Sequence, residues 1–392
     1  MKPRTHEILC RRRTTRVSAA VACVTLLFPF AASCERADPV AALPVQTGWS
    51  FEPSNPVIAL GDLRPLASWN DPCVIRADSG YIMYLTTSMG APGSPPVLPF
   101  RAVSEDGLSW SLKPTTPLLT VGKQGGFDSA SVETPSVVLF RGSYHMYYTG
   151  VGRKGLSGPM SIGHATSPDG IHWQRTDDPV LSPTGNPSDW NGLQVAEPGA
   201  VAFRGSIYLY FTAVGLRGGG SPPAKRVIGL ATSNNGTEFG PAEAVVEQTL
   251  PYTVEAGFDG YSTPSATVHE DKVPLFYDVG HWDEKAEHKW SQIALHHAVS
   301  NDGRAKWSQD SAAIVTRNNA PWTNLEVRSP HALFEDGRVM LWYAGNAKVS
   351  EIMDDVRASG KTRRFGIGLA TRPTDCPRQG GDMEAVRAHR MK

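Results

Sequence analysis

Charge of either sign is scarce in this 392-residue chain: Asp, Glu, Lys and Arg make up 19% of it, and 38 basic residues balance 38 acidic ones. A dedicated nucleic-acid binder would carry a basic excess, so that class of partner is excluded. Cysteine is scarcer, five in all, and Cys10, Cys23 and Cys34 fall within the first 34 residues. Cys73 and Cys376 are too few for a disulfide framework or a Cys-based zinc site. They could pair, or stand as two separate thiols with Cys73 buried in a strand. Long apolar runs are also missing: the stretch 17–30 falls short of the ~20 residues that span a bilayer as a helix.

That apolar stretch follows Arg11, Arg12, Arg13 and Arg16 and ends at Ala31-Ala32-Ser33-Cys34. A positive segment, a short apolar one and small residues make a secretory signal, so 1–34 is expected to be a leader and the protein exported. Small residues before a Cys are similar to the bacterial lipoprotein processing box, which would lipidate Cys34; ordinary cleavage nearby is the alternative. The expected locations are the periplasm, the outer membrane through a lipid anchor on Cys34, or the medium. Any membrane contact would run through that anchor. Nothing in the sequence sets an oligomeric state.

What the chain has in quantity is Gly (38), Pro (31) and Trp (10), a mix suited to many short strands joined by turns. Three patterns share one period. Ser, a turn ending in Gly, then an aromatic recurs as SEDGLSW, SPDGIHW, SNNGTEF and SNDGRAKW, with serines at 104, 167, 233 and 300. A strand opens on Pro at 72, 135, 198, 264 and 330, spaced 63, 63, 66 and 66 residues. An aromatic strand follows each: YIMYLTT, YHMYYTG, IYLYFTA, PLFYDVG and VMLWYAG. Each unit reads as four antiparallel strands, in the second at about 136–140, 144–149, 161–166 and 172–176.

A four-stranded sheet cannot bury its faces alone, so the units must stack. Four-stranded units repeated radially are the blades of a β-propeller. The expected fold is all-β: a five-bladed β-propeller over 47–375, with 376–392 as a C-terminal tail. The fifth unit lacks its outer strand, and WSFEPSNPVI at 49–58 matches the missing piece. The N-terminal strand is expected to complete the last blade.

In such a ring the five prolines mark equivalent places around one channel. Before them stand Asn70-Asp71, Glu133-Thr134, Ala196-Glu197, Ser262-Thr263 and Arg328-Ser329. A turn cap explains one acid, but not three converging with an arginine. The proline is expected to hold Asp71 extended, facing the channel. Converging carboxylates raise one another's pKa, so one can stay ionised while another holds a proton. Glycoside hydrolysis uses such a pair.

These motifs resemble the five-bladed propeller glycoside hydrolases of the arabinanase, β-xylosidase and β-fructosidase type, over roughly 47–375. The resemblance implies that Asp71 in WNDP is the base or nucleophile and Glu197 in VAEPGAV the general acid. A second-blade carboxylate would tune the acid and orient substrate. Glu133 in VETPSV stands one residue early for that role, and Asp128 in GFDSAS is the substitute. The β-fructosidases carry Arg-Asp-Pro in blade two and Glu-Cys in blade three, and this chain has neither, which makes a fructan hydrolase the less expected member.

Further substrate-binding candidates are Trp69, Arg328, and the His281-Trp282 pair in a long loop. The long loops between second and third strands are basic, and read as a solvated rim or as a mouth for anionic glycans or phosphate. The chemistry requires no cofactor, and the one metal expected is a structural Ca2+ in the central channel. The expected activity is an exported glycosidase on a furanosidic or plant-type glycan. The alternatives are a phosphorylase of the mannoside-phosphorylase type, with Arg328 in its phosphate clamp, and a carbohydrate-binding propeller without catalysis.

Overall fold

Every strand-opening proline lies inside a strand that starts before it, and that displacement shapes the centre of the molecule. The computed structural model describes residues 40, 43–65, 67–90, 94–152, 159–216, 225–249, 253, 259–282, 290–360 and 362–375. The leader, Cys34, Cys376 and the tail lie outside them. All of the described residues belong to the unit Asp38–Lys392.

Two short strands, β1 (Ser50–Phe51) and β2 (Ile58–Ala59), precede the first repeat. The first unit is β3 (Asn70–Arg76), β4 (Tyr81–Ser88), β5 (Val97–Ser104) and β6 (Ser111–Leu112); the second is β7 (Ser131–Phe140), β8 (Ser143–Val151), β9 (Met160–Ser167) and β10 (Gln174–Arg175). The third holds β11 (Gln194–Phe203), β12 (Ser206–Gly215), β13 (Lys225–Ser233) and β14 (Glu243–Val246). The fourth holds β15 (Gly260–Ala266), β16 (Val273–Trp282), β17 (Trp290–Ser300), β18 (Ser308–Gln309) and β19 (Val315–Thr316). The fifth has β20 (Glu326–Glu335), β21 (Arg338–Asn346) and β22 (Phe365–Pro373), with helix α1 (Val349–Ser359) between its last two strands. Neighbours within each unit pair antiparallel, and β1 and β2 both pair with β22. The chain is thus mostly β, arranged like a propeller.

Period-2 alternation is weak in the second strands because both faces are covered: all eight residues of β4 are buried. Tyr84, Tyr147, Tyr210 and Trp342 are fully buried at matching places opposite Cys73, Ser136, Gly199 and His331. Burying each is worth roughly 2–3 kcal/mol. They also stitch units together. Tyr84 donates its hydroxyl to the Gly170 carbonyl (3.2 Å), Tyr147 to that of Gly236 (2.6 Å), Tyr210 to that of Gly303, and Trp342 its indole N–H to that of Gly107 (3.1 Å).

Those acceptors are the glycines of the repeated turn. In each turn a serine hydroxyl accepts the glycine N–H: Ser104 for Gly107, Ser167 for Gly170, Ser233 for Gly236 and Ser300 for Gly303. The third residue caps the next two amides, as Asp106 does for Leu108 and Ser109. Two backbone donors on one carboxylate hold Asp106 and Asp302 down at about 2. The fourth unit has Phe276 at the stitching position, opposite Ser265, and so offers no donor. The unit after it has no such turn, because its outer partner β1 comes from the other end of the chain.

Candidate active site

Each first strand carries the same irregularity. Register shifts fall between Asn70 and Cys73, Glu133 and Ser136, Ala196 and Gly199, Ser262 and Ser265, and Arg328 and His331. Three steps on the first strand span two on its partner, which is a β-bulge. The residue before proline takes up the excess in the left-handed region: φ is 54° at Asp71, 47° at Thr134, 54° at Glu197, 45° at Thr263 and 51° at Ser329. The expected extended backbone at Asp71 is therefore corrected. The proline excludes the right-handed helical region for its predecessor, and the bulge selects the left-handed region over the extended one.

Non-glycine residues so placed cost about 1–2 kcal/mol each, and hydrogen bonds from the neighbouring unit offset the cost. Glu197 N–H donates to Thr149 Oγ1 (2.7 Å) and Thr263 N–H to Thr212 Oγ1 (2.9 Å). The bulge brings all five pre-proline residues and their prolines onto one cavity of about 350 Å³, counted to its open mouth. One residue past each proline, Cys73, Ser136, Gly199, Ser265 and His331 complete the lining.

Asp71 accepts from Thr86 Oγ1 on Oδ2 (2.5 Å) and from Ser329 Oγ on Oδ1 (2.9 Å). An ionised carboxylate only accepts, so two hydroxyl donors match that form. Glu197 Oε2 accepts the Thr263 N–H (3.2 Å), and its Oε1 stands 3.9 Å from Arg226 Nη1. Glu133 pairs with Thr149 one step outside the cavity lining. Burial, then the charge of Asp71, pushes its carboxyl up to about 7, with Glu197 adding and Arg328 subtracting. Glu133, Asp71, Glu197 and Arg328 thus form one electrostatic cluster. Arg328 donates to Asn70 Oδ1 (2.8 Å).

Sequence reasoning missed Asp278 in β16, which burial and the charge of Glu197 push up to about 7. It accepts from Ser262 Oγ and Thr263 Oγ1 and from the Ser329 N–H (3.3 Å). Its signal was present: aligning FYD with the YLT, YYT, YFT and WYA of the other second strands puts an acid where three units have Thr. Arg226, in β13, is a further residue beside Glu197 that no sequence motif singles out.

Three candidates stand apart from the cluster. Asp128 is buried between Tyr148, whose hydroxyl it accepts (2.9 Å), and Arg175 (2.7 Å), a clasp at the entrance to β7. Trp69 is fully buried, donates to the Asp62 carbonyl (2.6 Å) and packs edge-on against Phe100, so it offers no face to a sugar. His281 lies 3.7 Å from Asp259 at the end of β16, outside the cavity lining. The Trp282 side chain lies outside the described residues.

The long fifth-unit loop carries α1, whose acids Glu351 and Asp355 hold Arg364 at 2.7 and 2.9 Å. Cys73 is a free buried thiol pushed up to about 12 by burial. It accepts the Val137 N–H at 3.2 Å. The ring of residues past the prolines does not fit calcium, a hard cation that takes several oxygen ligands. It contains no carboxylate, and both nitrogens of His331 are engaged, by Ser265 Oγ (2.9 Å) and the Val74 carbonyl (2.8 Å). No cluster of three or more His, Cys, Asp or Glu placed for a metal occurs among the described residues.

The fold is one that this chain shares with propeller-type glycoside hydrolases. Residues 133–256 match the glycosyl hydrolases family 32 N-terminal domain. A 105-residue stretch is 36% identical to the sucrose-6-phosphate hydrolase of Escherichia coli, covering 26% of this chain and 21% of that protein. The chain thus spans about a fifth of the length of that curated relative. Among solved structures, one glycoside hydrolase superposes with a TM-score of 0.62 at 16% identity, over 87% of this chain and 94% of its own. The β-1,2-mannobiose phosphorylase from Listeria innocua superposes at 0.59 and 12% identity, over 83% and 97%.

Proposed function

We propose that the protein is an exported glycoside hydrolase built as a five-bladed propeller, its last blade completed by β1 and β2. The observation that carries this reading is the convergence of Asp71 and Glu197 on one cavity, with Glu133 coupled to both from just outside its lining. Asp71, held by two hydroxyls, is the base or nucleophile. Glu197, beside Arg226 and the Thr263 amide, is the general acid that protonates the leaving oxygen. Glu133 is the second-blade carboxylate in place of Asp128. As a neutral acid below pH 7 it spares the cluster a third negative charge and presents a donor to a sugar hydroxyl. The substrate is a furanosidic or plant-type glycan, and the 34-residue leader directs export with or without a lipid on Cys34.

A panel of aryl glycosides tests the reading with wild type, Asp71→Asn and Glu197→Gln. Release from one aryl furanoside or xyloside that both variants abolish supports it. No release from any substrate sinks it. A second reading, phosphorolysis, is favoured by the likeness to the Listeria phosphorylase and by Arg226 and Arg328 near the acids. It predicts turnover that needs inorganic phosphate, so each assay is run with and without it.

A further inference from the structure

Asp278 stands between the two proposed catalytic acids without touching either. Its Oδ2 takes the Thr263 hydroxyl and the Ser329 N–H, and both partners go on to hold a cavity carboxylate. Thr263 gives its own N–H to Glu197 Oε2 (3.2 Å), and Ser329 gives its hydroxyl to Asp71 Oδ1 (2.9 Å). One buried carboxylate is therefore one residue away from each acid, and its two partners also meet, the Ser329 N–H lying 3.3 Å from Thr263 Oγ1. The Ser262 hydroxyl fixes its other oxygen.

The other units show what this station needs for folding alone. Thr86, Thr149 and Thr212 occupy it in the first three and Ala344 in the fifth, each opposite the residue that opens the bulge. A neutral hydroxyl, or a methyl group, suffices for the bulge. A fully buried carboxylate costs more than threonine, and more again beside another acid. The charged groups facing it are Glu197 on β11, Arg226 on β13 and Arg328 on β20.

We propose that Asp278 is a positioning residue that couples Asp71 to Glu197, by clamping Thr263 and Ser329 so that the two carboxylates keep a fixed separation. The inference rests on the roles given to those acids above. Clamping matters because misplacing a reacting group by about 1 Å costs on the order of 100-fold in rate. A threonine at 278 lacks the second oxygen that Ser262 fixes, so its one oxygen would not be anchored where Oδ2 bridges Thr263 and Ser329.

The test compares Asp278→Thr and Asp278→Asn with wild type on the aryl glycoside found above, alongside Asp71→Asn and Ser329→Ala. For Asp278→Thr, kcat is expected to fall about 10–100-fold with KM changed less than about 2-fold and the melting temperature at pH 5 kept. Asp278→Asn keeps a bridging oxygen and recovers part of the loss. Because both changes act through one clamp, Asp278→Thr combined with Ser329→Ala loses less than the product of the single losses. Wild-type kcat in Asp278→Thr beside an inactive Asp71→Asn overturns this proposal alone. So does a fall in rate that only tracks a fall in melting temperature. An active Asp71→Asn, or no turnover by wild type, overturns the underlying reading and this proposal with it.

Discussion

Trp342 donates its indole N–H to the carbonyl of Gly107 at 3.1 Å, a bond between the fifth unit and the first. The same bond recurs from Tyr84, Tyr147 and Tyr210 to the turn of the following unit. The glycine in each turn is required twice, for its left-handed φ and for the closeness of the aromatic. At Gly170, φ is +72° and an added Cβ would lie 2.5 Å from the Tyr84 hydroxyl; at Gly142, φ is +83° and the Cβ would meet nothing within 4 Å. Gly142→Ala is expected to cost about 1 kcal/mol and Gly170→Ala about 2–3 kcal/mol, since the second also breaks a buried hydrogen bond. Urea unfolding of the two variants separates backbone strain from the lost stitch.

Removing the charge from either cavity acid should leave the scaffold intact and remove the chemistry. Asp71→Asn keeps an oxygen for one of the two hydroxyl donors, and Glu197→Gln keeps one for the Thr263 amide. Each is expected to lower kcat about 10²–10⁴-fold, the range of general acid–base catalysis. Steady-state rates on the active aryl glycoside, with circular dichroism to verify folding, check this.

Glu133 makes the cluster sensitive to pH near neutrality. Its carboxyl is pushed up to about 7 from an ordinary 4.5, so it favours the neutral acid in the folded state. That preference supports folding fully below pH 4.5 and is lost as pH rises through 7. Glu133→Gln should therefore raise stability at pH 8 by about 2 kcal/mol and leave pH 4 unchanged. Activity should show an alkaline limb near pH 7, displaced in the variant. Melting temperatures and kcat/KM between pH 4 and 9 test both halves.

His331 imposes the opposite dependence. Burial holds its pKa down at about 4 from an ordinary 6.5, and both ring nitrogens are engaged when it is neutral. Its contribution is present above pH 6.5 and is lost as pH falls through 4, because the unfolded chain then binds a proton that the folded one refuses. Buried His164 and His296, also lowered to about 4, add to it. The stability of His331→Gln should fall less steeply between pH 6.5 and 4 than that of wild type. Urea midpoints across that window measure the difference.

Much of this architecture was legible because it repeats. The 63–66-residue spacing of five prolines located the first strands and, through them, Asp71 and Glu197. The outer strand missing from the fifth unit pointed to the segment that β1 and β2 occupy. What stayed hidden depended on geometry that no spacing records. The pre-proline rule excludes one backbone region but does not choose between the remaining two, and the bulge decided for the left-handed one. Asp278 escaped because Pro274 opens its strand motif one residue out of step with the others. Trp69, a substrate-binding candidate beside Asn70 and Asp71, is instead fully buried. Its burial depends on Phe100 and on the Asp62 carbonyl, which no local pattern connects to it.

The five bulges separate the shape of the site from its chemistry. Proline and the strand ladder set the kink, and Asp, Thr, Glu, Thr and Ser occupy it at nearly the same φ. Each kink is therefore a socket whose backbone does not depend on the side chain it presents. Exchanging residues among the sockets changes which groups face the cavity while the frame that aims them stays in place. A change of substrate or reaction within this architecture needs a new set of five side chains more than a new fold.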